Sequence, residues 1–139
     1  MKSELNTNQL VNSIVEGIQE KKGHHISVAD LSTIDDTLCQ YIVICDANSP
    51  SHISAICESV REFAQKNAGE KPNAVDGLRS SIWVAMDYAD VMVHIFMPET
   101  RQFYDIDHLW EDAKVNIIPD EELFFRFRFF ILNHCSSGR

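Results

Sequence analysis

After "NTN", apolar residues recur at helical spacing, with Leu10, Val11, Ile14, Val15 and Ile18 on one stripe and "KKG" supplying a basic last turn and a stop at Gly23. This predicts an amphipathic first helix. The period then changes: "ISVADL" leads into a turn-rich "STIDD", and "QYIVICDA" is a continuous apolar run with β-branched residues. Two strands are expected, the second more deeply buried. "NSPS" marks a loop in which Ser51 caps a helix with the stripe Ile53, Ile56, Cys57, Val60 and Phe63, closed by Gly69. "EKPNAVDGL" reads as a polar connector, and "IWVAMDYADVMVHIFM" as two strands meeting at a tight turn around Tyr88 and Ala89. Pro98 suits the first turn of a last helix that would bury Phe103, Ile106, Leu109 and Trp110.

The order α-β-β-α-β-β-α predicts an α+β fold with helices packed on a mixed sheet. The second and third strands, joined through a helix, form the expected parallel, right-handed crossover. A chain of 139 residues, 45% hydrophobic and 24% charged, fits one globular domain with a substantial core. Twelve basic against 21 acidic residues give a net charge of -9, which argues against a wide nucleic-acid surface and suits a basic protein partner. Cys39, Cys45, Cys57 and Cys135 form no CxxC pair, as expected in a reducing compartment. With neither an apolar signal core nor a span-length apolar stretch, the expected location is cytoplasmic, without a membrane partner.

The hairpin carries the most informative pattern. A two-residue turn would set Asp87 opposite Asp90, Ala85 opposite Met92 and Trp83 opposite His94, all on one face. Ile82, Val84, Met86, Val91, Val93, Ile95 and Met97 would then line the other face, which must be core. The mixed face is too apolar for idle solvent and too acidic for full burial, so a half-covered surface is expected. Facing aspartates call for a nearby cation, and Arg101 or Arg79 could supply it. The set has two readings, a carboxylate dyad with a histidine base or a recognition face. No nucleophile or glycine-rich phosphate loop accompanies it, which favours recognition. "GHH" at residues 23–25 lacks zinc-site spacing, and "DLSTIDD" lacks the oxygen-ligand order of a calcium loop.

"YIVICDANSPSHISAI", "VDGLRSSIWVAMDYADVMVHIF" and "ETRQFYDIDHLWEDA" together closely resemble the ribosomal silencing factor, or Iojap, family over residues 8–119. The most specific part is the series Trp83, Asp87, Asp90, Val93, His94, Arg101, Tyr104, Leu109 and Trp110. The resemblance implies a cytoplasmic, non-enzymatic factor with no cofactor or metal. It would dock on the large ribosomal subunit through ribosomal protein fourteen, block joining of the small subunit and repress translation when nutrients are scarce. A nucleotidyltransferase-like fold is also implied. The partner-binding residues would be Trp83 and Tyr104 first, then Asp87, Tyr88, His94 and Arg101. "CDANS" in place of a glycine after the strand, Asp76 before Gly77, and Asp107 before "LW" depart from the family pattern while keeping turn and charge character.

Two alternatives stay open: a nucleotide-handling enzyme of the related fold and a large-subunit assembly adaptor. The enzyme's nucleotidyltransferase pattern is a Gly-Ser turn followed by two aspartates one residue apart on the next strand, to hold metal and triphosphate; here "ANSPS" is at most a remnant of the turn, and the only DxD-like pair, Asp105 and Asp107, lies in the predicted last helix, where residues two apart point in different directions. A homodimer hiding the same face would serve as a storage form. Residues 1–119 form the expected domain, and residues 120–139 an aromatic-rich tail with five phenylalanines. The tail reads as a non-native extension, as an extra element whose "FRFRF" alternation adds an edge strand, or as a membrane-interface segment.

Overall fold

Alternation and helical periodicity resolve into ten elements in a computed structural model that describes residues 4–34, 37, 39–109 and 113–119. Helix α1 (Glu4–Glu20) is followed by strands β1 (His24–Asp30) and β2 (Tyr41–Asp46), helix α2 (Pro50–Ala68), and strands β3 (Ala74–Asp76), β4 (Trp83–Asp87) and β5 (Val91–Phe96). Helix α3 (Pro98–Tyr104), a 3-10 turn (Ile106–His108) and strand β6 (Lys114–Ile118) complete the described chain. The strands form one mixed sheet in the order β3-β4-β5-β2-β1-β6. β2 and β5 are parallel, and the other neighbours are antiparallel. The parallel partner of β2 is thus the second strand of the hairpin, where the sequence pointed to the first.

Residue parity divides the core. Leu10, Ile14 and Ile18 of α1 and Ile53, Ile56 and Val60 of α2 pack against Val43, Cys45, Val84, Met86, Val93 and Ile95, all essentially inaccessible. Each such side chain contributes about 1.5–3 kcal/mol by leaving water. The helices cross closely at Gly17, where an added Cβ would lie 2.9 Å from Val60 Cα, and the Ser59 hydroxyl donates to the Gly17 carbonyl at 2.7 Å. The opposite sheet face holds a smaller cluster of Ala29, Leu31, Cys39, Ile42, Ile44 and Phe96, with Trp83, Met92 and Ile106 at its partly exposed margin. It is therefore half covered.

In the hairpin, Trp83 lies opposite Phe96, Ala85 opposite His94 and Asp87 opposite Met92. The turn residues are Ala89 and Asp90; Ala89 has φ 70°, and the Tyr88 amide donates to the Val91 carbonyl at 2.9 Å. This register is two residues away from the expected one. A one-residue slip would have exchanged the faces, whereas an even shift preserves them. Val84, Met86, Val91, Val93 and Ile95 are accordingly buried, but Ile82, expected in the core, is 49% exposed just beyond the strand end.

Several boundaries differ from the expected ones for local reasons. The residue that turns the chain after α1 is Lys22, at φ 61°, and Gly23 donates its amide to the Ile18 carbonyl. Ser49, not Ser51, caps α2: its hydroxyl accepts from the His52 amide at 3.1 Å, because Pro50 occupies the first helical turn. Gly69 closes α2 as expected, at φ 66°. The connector contains β3, an edge strand, and β6 is a further strand that the periodicity did not announce. Helix α3 has only seven residues and ends at Asp105, at φ 50°, so the expected buried stripe does not form. Phe103 and Leu109 are 81% and 62% exposed, and Ile106 alone among the described members tucks against the smaller cluster. Trp110 and the tail from residue 120 lie outside the described residues. Cys39, Cys45 and Cys57 are buried free thiols, and burial pushes all three above the ordinary thiol range.

Candidate protein-binding face

Trp83 opens β4 on the half-covered face. Its ring stacks on buried Phe96 with centroids 4.9 Å apart and leans against Tyr104 at 4.8 Å. Its indole N–H donates to His94 Nδ1 at 3.0 Å. That bond fixes His94 as a neutral ring whose proton sits on Nε2, and burial pushes its pKa down to about 4. Gly77 fixes the backbone beneath: at φ 97°, a Cβ there would sit 2.0 Å from the Trp83 carbonyl oxygen. Only glycine allows the chain to pass so close.

From this anchor the aromatics climb into solvent. Tyr104 is 52% exposed, and Phe103 meets it edge-to-face at 5.0 Å. Phe96, Trp83, Tyr104 and Phe103 thus form a continuous ridge from the core to the surface. The sequence pattern assigned Phe103 to the core; the seven-residue α3 buries no side chain, and Phe103 stands beside Tyr104 toward solvent instead.

The other candidate residues divide differently. Asp87 is on the half-covered face, but its carboxylate accepts from the Ala89 amide at 2.8 Å and is not opposed by Asp90. Tyr88 is 1% exposed and belongs to the main core, because the shifted register continues the series Val84, Met86, Tyr88 inward. Its expected role as a contact residue is corrected to a packing one; burial also raises its phenol pKa.

Arg101 is likewise turned inward. Its Nε and Nη2 donate to the two Asp107 oxygens at 3.1 and 2.8 Å, while Nη1 donates to the His25 carbonyl at 2.7 Å and to Asp46 at 3.3 Å. The His25 carbonyl is available because β1 bulges there, with His25 at φ 53° and an extra residue against β2. The hydrogen bonds from Arg101 hold the Asp107 carboxyl below the usual carboxylate range. Arg101 therefore ties the segment after β5 to the ends of β1 and β2, so that of the two cations expected beside Asp87 and Asp90, Arg101 or Arg79, the first is occupied elsewhere. Of the DxD-like pair, Asp107, within the 3-10 turn, is committed to Arg101, and Asp105, just past the end of α3, to His108. Among the described residues, no group of three or more His, Cys, Asp or Glu side chains is arranged to hold a metal ion, and no helix is long and apolar enough to cross a membrane.

Fold and face together define an α+β domain with one sheet face closed by two helices and the other presenting an aromatic ridge with acidic neighbours. A family profile described as "Ribosomal silencing factor during starvation" matches residues 4–126, and the chain belongs to that family. The chain is similar to ribosomal silencing factor RsfS of Chromobacterium violaceum, 32% identical over 100 residues that cover 72% of this chain and 80% of the relative. It is 28% identical to RsfS of Bacillus subtilis over 109 residues, 78% of this chain and 91% of that one. Chloroplastic Iojap of Arabidopsis thaliana is 29% identical over 83 residues, 60% of this chain and 34% of its own length. A crystal structure of a Chromobacterium violaceum protein superposes with a TM-score of 0.69 at 30% identity, covering 75% of this chain and 85% of that one. A Bacillus halodurans structure gives 0.65 at 27%, covering 74% and 94%.

Proposed function

We propose that this chain is a translational repressor that binds the large ribosomal subunit, through ribosomal protein fourteen, and sterically blocks joining of the small subunit. The observation that carries this reading is the ridge Trp83–Tyr104–Phe103, rooted in the core by Phe96 and open to solvent at its crest. Rigid, pre-packed aromatics suit a small hot spot, because little side-chain entropy remains to be lost on binding. Asp87 and the net charge of -9 favour encounter with a basic ribosomal protein. Trp83, Tyr104, Phe103 and Asp87 form the contact set; His94 positions Trp83 from behind, and Arg101 positions the segment that carries the ridge. Family membership supports the silencing role, while the choice of ribosomal protein rests on the resemblance of the motif residues.

The test is light scattering from purified large and small subunits mixed with the full-length chain. Joining should fall as the chain is added and recover with Phe103→Ala, which removes a solvent-exposed ring. Undiminished joining at saturating protein would refute the proposal.

A further inference from the structure

We propose that the trough between α1 and the β1 and β6 end of the sheet binds an extended basic segment of a partner protein, holding an arginine or lysine side chain at Glu16 and Asp30 and a peptide group at Gln19. The helices cover the sheet chiefly over β2, β4 and β5, and beyond them one flank of α1 borders a space of about 610 Å³ above β1 and β6. That is room for a few residues of extended peptide. The α1 residues lining it, Asn8, Asn12, Glu16 and Gln19, recur at helical spacing beside the core stripe of Leu10, Ile14 and Ile18. Val11, Val15 and Val28 add apolar lining, and Asp30 comes from the end of β1. The Asp30 carboxylate is oriented by one oxygen, which accepts from the Ser32 amide at 2.9 Å and from its hydroxyl at 2.6 Å.

Two independent observations select the ligand. The lining holds two carboxylates and no lysine, arginine or histidine, so a phosphate is repelled and a guanidinium or ammonium attracted. Gln19 is only 6% exposed, and its side-chain nitrogen has no hydrogen-bond partner. Buried donors are nearly always satisfied, and one on a side chain that lines a cavity points to an acceptor supplied from outside. A free polyamine carries the charge but no acceptor. A peptide group supplies an acceptor beside a donor, and its basic side chain supplies the charge. The trough lies on the helix side of the sheet, with Val11 and Val28 in the main core, whereas Trp83 stands on the other face, so this site is independent of the aromatic ridge.

The test is an NMR titration of the full-length chain at about 150 mM salt, which screens non-specific attraction. The probes are the capped pentapeptide acetyl-Ala-Arg-Ala-Arg-Ala-amide, the same peptide with citrulline for arginine, and spermidine. Saturable shifts of the Gln19 side-chain amide and of the Asn12 and Glu16 backbone amides are expected with the arginine peptide. Affinity should fall about 10-fold for the citrulline peptide and for Glu16→Gln, which changes an exposed residue. Gln19→Met should weaken the arginine peptide similarly while unfolding at the same or a higher temperature, because it removes an unsatisfied buried donor. No saturable shift at millimolar peptide, or equal affinity for the citrulline peptide, would overturn the proposal. So would spermidine binding as tightly as the peptide, which would assign the trough to small polyamines, and shifts confined to Trp83 and Tyr104, which would place the peptide on the aromatic face.

Discussion

Replacing Arg101 by methionine separates an internal tie from a contact residue. The substitution keeps much of the aliphatic volume but removes the fork to Asp107, the bond to the His25 carbonyl and the approach to Asp46. The three side chains are 15%, 27% and 7% exposed for Arg101, Asp107 and Asp46, so the change strips the guanidinium from a nearly dry Asp46 carboxylate and leaves it the His25 ring, whose Nδ1 lies 3.1 Å from both oxygens. Breaking a fully buried pair costs about 3–5 kcal/mol, and the partial hydration of Asp107 brings the expected loss here to about 3 kcal/mol. For a domain of this size that lowers Tm by about 10 °C. The assay is thermal unfolding followed by circular dichroism at pH 7, with Asp46→Asn in the same background. The double variant should recover part of the loss, because the buried carboxylate that has lost its guanidinium is gone. Unchanged Tm in Arg101→Met together with lost ribosome binding would refute the reasoning and return Arg101 to the contact surface.

His94 predicts a pH dependence. Its folded pKa of about 4 lies below the ordinary histidine value of 6.5, so its contribution is complete above pH 6.5 and is lost as pH falls toward 4. The loss is up to about 3 kcal/mol, read from urea midpoints, and His94→Gln should flatten that interval; an equally steep profile would show another group responsible. Asp107 acts lower: its carboxyl is held down by Arg101, so its stabilising effect is present above the ordinary aspartate range and disappears as pH falls below about 4. Asp107→Asn should therefore cost stability at pH 7 and little at pH 2.5, as chemical denaturation would show. Val93→Asp sets a charge in an inaccessible core position and should abolish the cooperative transition; a folded variant would invert the face assignment. Trp83→Ala should cost about 2 kcal/mol, since it strips a half-buried ring and orphans His94 Nδ1, so its binding defect must be read beside its unfolding curve.

The division of the hairpin into a core face and a half-covered mixed face was legible because strand parity survives any even error in register. The turn itself was not: nothing in "DYAD" marks Ala89 as the residue that will accept φ 70°, and misplacing the turn made a core tyrosine look like a contact. Ser49 as the helix cap was readable from the proline that follows it. β3 and β6 escaped because three- and five-residue strands at sheet edges bury too little to show periodicity. The inward turn of Arg101 depends on a bulge in β1 that lies 76 residues away in sequence, beyond the reach of local pattern. The resemblance to the family motif grouped Trp83, Tyr104, His94 and Arg101. Only side-chain geometry separated the exposed ridge from the residues that hold it in place.

Co-sedimentation of the full-length chain with isolated large and small subunits, run beside Phe103→Ala and Tyr104→Ala, bears most directly on the central claim. The ridge predicts binding to the large subunit alone, weakened about 30-fold by either change, the equivalent of about 2 kcal/mol at a hot spot, with unchanged unfolding for Phe103→Ala. Binding to the large subunit that neither substitution weakens would place the interface elsewhere on the domain, and binding to neither subunit would contradict the account.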